Sequence, residues 1–157
     1  MFIDTIDRLP DSSWAALQLE LKRGATYVAQ RELLPQFPAA IVAIESRLEE
    51  AVERERKAAD YLAELETRLR EAQDRRVKVL SVPFPVRTEI QHAEFEIESL
   101  QGAIVQARDA WAEAARATSL ERELLERLQR IRDEWTTADP PAMPLLRRVL
   151  SYLPTEK

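Results

Sequence analysis

From Pro38 onward, apolar residues return at alternating intervals of three and four. Ile41, Leu48, Leu62 and Leu69 fall in one heptad column (a), which Glu55 and Arg76 interrupt. Ile44, Ala51, Ala58, Leu65, Ala72 and Val79 fill the other (d). A 3.5-residue period sustained between charged flanks predicts a coiled-coil helix, and Pro38 suits its first turn, where a missing N–H costs nothing. A second run places Ile90, Ile97, Ile104, Trp111, Thr118 and Leu125 at a, with Ala93, Leu100, Ala107, Ala114, Glu121 and Leu128 at d. Beyond Thr118 the apolar positions slide to Leu120, Leu124, Leu128, Ile131 and Trp135, a stutter that locally unwinds a supercoil. This second helix is predicted to stop near Thr136, ahead of "ADPP".

The runs are separated by "SVPFPV". Pro83 and Pro85 donate no backbone hydrogen bond, and each disfavours helix in the residue before it. The first helix should therefore end near Leu80 or Ser81 and the second begin near Val86, a connection short enough to make the two antiparallel neighbours. A mirror near Pro83 sets Leu69 opposite Ile97, Leu65 opposite Leu100 and Leu62 opposite Ile104. It also sets Ala72 opposite Ala93, Ala58 opposite Ala107 and Ala51 opposite Ala114. Charge agrees with folding back: Arg68, Arg70, Arg75, Arg76 and Lys78 would face Glu89, Glu94, Glu96 and Glu98. The expected hairpin spans roughly 60 Å at the rise of an α-helix.

The flanking segments read as short helices. "DSSWAALQLELKRG" opens on Asp11 or Ser12 as N-cap, and Gly24 follows its expected end; a further helix would run from Ala25 to Leu34, before Pro35. The alternation of Leu17, Leu19 and Leu21 also permits a β-hairpin over "LQLELKRGATYV", with helix preferred. After the prolines near 140, Leu145, Leu146, Val149, Leu150, Tyr152 and Leu153 make a short apolar helix. It either folds back on the N-terminal segment or serves as a helix-in-groove ligand.

The expected architecture is thus all-α: a long antiparallel coiled-coil hairpin with short N- and C-terminal helices packed at its open end. Residues 1–37 form the N-terminal segment, 38–136 the hairpin with its turn at 81–86, and 137–157 a Pro-rich linker and apolar helix.

Composition narrows the chemistry. The chain has 157 residues, 32% of them charged, only two glycines and a net charge of −5, so no overall field favours nucleic acid or an anionic membrane. The absence of cysteine removes disulfides and thiol chemistry. A start of "MFIDTIDRLP" without a basic apolar leader, and no apolar run long enough to span a bilayer, lead us to expect a cytoplasmic protein.

Candidate sites are few. Glu89 and His92 match the Glu-x-x-His spacing of di-iron bundles, yet Ile90, Ala93 and Ile97 own the core face and turn His92 outward. Glu55 and Glu121 sit at core-type positions but in separate layers; Glu55 would reach solvent or accept from the Trp111 indole. No glycine-rich phosphate loop or nucleophile elbow is present. The expectation is a protein without catalytic residues, metal or cofactor, an adaptor, scaffold, assembly factor or protein inhibitor that presents surfaces to another protein and to itself as a homo-oligomer. Its contacts would be the apolar turn of Leu80, Val82, Phe84 and Val86, the rim of Arg76, Lys78 and Arg87, and the tail residues Leu145, Leu146, Val149, Leu150 and Leu153. Alternatively the turn folds Phe84 over Val79 and Ile90 merely to close the hairpin. A basic hairpin for nucleic acid, using the stretch from Arg68 to Arg87, is the competing class; Phe84 alone would offer a base a stacking surface.

Overall fold

The computed structural model describes residues 11–152, with side chains from Trp14 onward. Helix α1 runs over Asp11–Leu33 and passes through a 3-10 turn, Leu34–Gln36, into α2, Phe37–Leu80. Helix α3 covers Arg87–Thr137 and α4 covers Pro144–Leu150; no strand occurs among the described residues. The side chains proposed as N-cap at Asp11 and Ser12 lie outside the described set, as does Leu153.

The N-terminal segment differs from both expectations. It is one helix through Gly24, which has no positive φ, and not a β-hairpin or two helices. Glycine in a helix interior costs only about 1 kcal/mol relative to alanine, too little to stop a helix flanked by good formers. The alternation of leucines resolves on a helical face: Leu17 and Glu20 are buried, while Leu19 and Leu21 face solvent. Gly24 continues the buried side, and its missing side chain admits Met143, whose Sδ would stand 2.9 Å from an added Cβ.

Two compact units emerge, one of residues up to Ile41 with those from Arg127 on, the other Val42–Glu126. In the first, Phe37 meets Trp135 edge-on with ring centroids 5.4 Å apart. Arg31 lies over the Tyr27 ring and donates to the Ala138 carbonyl at 3.2 Å. The tail folds back on α1, one of the two courses expected for it. Glu20, itself buried, accepts the backbone N–H groups of Leu145 (3.2 Å) and Leu146 (2.9 Å). These are orphan donors of the first turn of α4, so a carboxylate there satisfies them and meets the positive end of the helix dipole.

The second unit is the hairpin, α2 packed antiparallel on α3. A buried cluster joins Leu65 to Ile104 and Ala107, with Leu62, Leu69, Leu100 and Ala103 around them. Four ion pairs cross between the helices: Arg47–Glu121, Glu66–Arg108 at 3.1 Å, Arg75–Glu96 at 2.5 Å and Arg76–Glu94 at 3.4 Å. Their midpoints fall between Phe84 and Arg87 rather than at Pro83. The layers are therefore shifted by about half a heptad from the mirror drawn on the prolines. Leu65 packs with Ile104 and Ala107, one layer beyond the Leu100 that the mirror set opposite it. Ala51, at 1% exposed, and Thr118, at 2%, are among the best-buried residues of the seam. Thr118 satisfies its buried hydroxyl on the Ala114 carbonyl at 3.1 Å. The turn permits this stagger because it fixes where the helices stop, not how far one slides along the other. Exposed ion pairs add little stability, but together they disfavour a slipped register.

Gly102 lies in α3, where a Cβ added to it would meet nothing within 4 Å. Gly102→Ala should therefore raise stability by about 1 kcal/mol through helix propensity alone, read as a higher urea midpoint with an unchanged slope.

Candidate functional site

The apex follows from how the helix ends are satisfied. The Ser81 N–H donates to the Val77 and Lys78 carbonyls at 3.0 and 3.3 Å, and its hydroxyl donates to the same two at 2.9 Å. Serine thus closes α2 with both of its donors. On the far side, the Val86 carbonyl accepts from Glu89 and Ile90 at 3.0 and 3.2 Å and starts α3. Between these caps Pro83 and Pro85 bring no N–H that would need a partner. The chain can turn without burying anything.

Nothing is buried there. Phe84 is 92% exposed, and Leu80, Val82 and Val86 are exposed with it. This overturns the view of Phe84 as a plug folded over Val79 and Ile90, both of which are only half-buried. Val77, not singled out from the sequence, adds an exposed apolar residue one turn before Leu80. Of the basic rim, Arg76 is held by Glu94, whereas Lys78 and Arg87 join no ion pair among the described residues. The site is a bare apolar knob with two free cations beside it.

The remaining candidates are placed elsewhere. His92 is exposed and lines an open concavity with Arg75, Phe95 and Glu96. Glu89 is exposed as well, and no group of His, Asp and Glu able to hold a metal occurs among the described residues. Glu55 is half-buried, and no hydrogen bond joins it to Trp111 among the described residues. Glu121 pairs through Oε1 with Arg47 across α2 and α3, while its Oε2 is buried without a partner among the described residues. The Arg56 side-chain hydrogen bond, reinforced by its charge and that of Lys57, holds Glu53 below the ordinary carboxylate range on the solvent face. In the tail, Val149 is buried, Leu145 and Leu146 are half-buried, and Leu150 is exposed. The fold-back thus buries Val149, covers part of Leu145 and Leu146, and leaves Leu150 open.

Half of the basic stretch is paired, Arg68 with Glu64, Arg75 with Glu96 and Arg76 with Glu94. No described helix is long and apolar enough to cross a membrane. The fold and this site define an all-α hairpin with an apolar apex. Comparison with protein-family models, curated proteins and solved structures yields no match.

Proposed function

We propose that this chain is a non-catalytic protein-interaction module, an adaptor or scaffold that presents the Pro83–Pro85 apex to a protein partner. The observation that carries the reading is Phe84, a large aromatic left 92% exposed at the end of a hairpin whose backbone is otherwise capped. Aromatic side chains of this kind dominate interface energetics when a partner pocket desolvates them. Leu80, Val82 and Val86 widen the contact, and Lys78 and Arg87 supply a rim that meets acidic groups. A cytoplasmic setting accords with a chain that has no cysteine. Nucleic acid is the weaker reading, because three of the arginines that would meet phosphates already hold glutamates.

Phe84→Asp should leave far-UV helicity unchanged, since the side chain packs against little. It should also remove at least nine-tenths of the partner captured from native-host extract by the tagged protein. Undiminished capture by this variant would end the apex reading.

A further inference from the structure

One side of the Val42–Glu126 unit carries apolar residues that nothing in that unit covers. Val42, Val52 and Val105 are all exposed, with Val105 at 58%. That α2 and α3 share this side is shown by a concavity lined by Glu66 and Arg70 of α2 together with Val105 and Arg108 of α3. Glu66 has the same heptad position as Glu45, Val52 and Ala59, so the second concavity, at Val42, Glu45, Glu49 and Val52, opens on the same side further along α2.

The two concavities have opposite charge. Glu45 and Glu49 rim one without a cation. Arg70 and Arg108 rim the other, whose only carboxylate, Glu66, is already held by Arg108 at 3.1 Å. Neither Glu45, Glu49 nor Arg70 joins an ion pair among the described residues. Ala59 stands midway between the acidic pair and Arg70. Ala63, Ala112 and Ala115 join it on this side and keep the middle of the face low. Arg56, also on this side of α2, is tied to Glu53 and Asp60 of its own helix.

We propose that this side is the interface with a second copy of the chain, packed antiparallel about a two-fold axis near Ala59. A two-fold axis brings each surface to its own copy, so an α2 face with an acidic end at Glu45 and Glu49 and a basic end at Arg70 complements itself only when the copies run in opposite directions. Glu45 and Glu49 of each copy then meet Arg70 of the other, twice per dimer, while the exposed valines leave water. A parallel pairing would oppose like charges at both ends. The surface is separate from the apex, so it neither needs that contact nor blocks it.

Light scattering on the full chain should give twice the 18.1 kDa subunit mass at micromolar concentration. Glu45→Arg with Glu49→Arg in one variant, and Arg70→Glu in another, should each weaken self-association at least ten-fold with helicity retained. An equimolar mixture of the two should recover a dimer, because each mismatched end then meets its complement. As a measurement independent of those variants, Ala59→Cys should cross-link on oxidation in this cysteine-free chain, whereas Tyr61→Cys, on the opposite side, should not. Phe84→Asp should leave the dimer intact, which separates this interface from the apex. A monomeric wild type, swaps without effect, a mixture that stays dissociated, or cross-linking at 61 instead of 59 would each overturn the proposal.

Discussion

Leu65→Ala should destabilise the hairpin by about 3 kcal/mol, within the range seen when a buried leucine is truncated to alanine. Leu65 is 4% exposed and meets Ile104 and Ala107 across the helix pair, with Leu62 and Leu69 on either side along its own helix. Two packed helices have one apolar seam and no second layer, so neighbours that move into the gap must leave their own layers. Ala107 is too small to fill it, and Ile104, β-branched and stiff at χ1, has little freedom to swing. The loss should appear as a lower urea midpoint by circular dichroism. Leu120→Ala, at a position 66% exposed, should stay within about 0.5 kcal/mol of wild type. A cost at Leu65 no larger than at Leu120 would mean that the seam assigned to residues 62–69 and 100–107 is wrong.

What the sequence makes legible follows from which forces act locally. The two long helices and their limits are readable because the heptad period and the proline pair each dictate backbone geometry within a few residues: α2 ends at Leu80 and α3 begins at Arg87. Register is not readable from the turn, since side-chain packing along the seam decides it, and several Ala-for-large exchanges look alike on paper. That Thr118 is buried to 2% exposed, deeper than most of the aliphatic residues of the seam, needs the structure to reveal it. Gly24 misleads because a glycine after an apolar stripe carries the signature of a helix end, while its actual use is to admit Met143 from the far end of the chain. Glu20 gives no signal at all: it looks like any surface glutamate, and its partners are backbone amides, which every residue but proline possesses. The apex is legible as apolar composition out of place. Its degree of exposure depends on whether Phe84 folds inward, which sequence leaves open.

Glu20→Ala should release the C-terminal helix. Hydrogen bonds to a charged acceptor are worth about 1.5–3 kcal/mol each, and Glu20 accepts two, from consecutive amides at 3.2 and 2.9 Å. Truncation leaves the Leu145 and Leu146 N–H groups half-buried without an acceptor. A helix as short as α4, Pro144–Leu150, has no stability of its own, because nucleation is costly and few bonds repay it. Once the carboxylate is gone, burial of Val149 against the rest of its unit is the main force left to hold the helix, a contribution of roughly 1.5–3 kcal/mol at most. The tail should therefore be open much of the time. Hydrogen exchange at the Leu145 and Leu146 amides should accelerate by a factor of at least about 100, the conversion of roughly 3 kcal/mol, and proteolysis should begin after Thr137. Glu20→Gln keeps one acceptor oxygen but no charge, and should fall between the two. Exchange in the hairpin around Leu65 should not change, since that residue belongs to the other compact unit. If both amides stay as protected in Glu20→Ala as in the wild type, the carboxylate does not hold the tail, and packing of Val149 and Met143 alone must suffice.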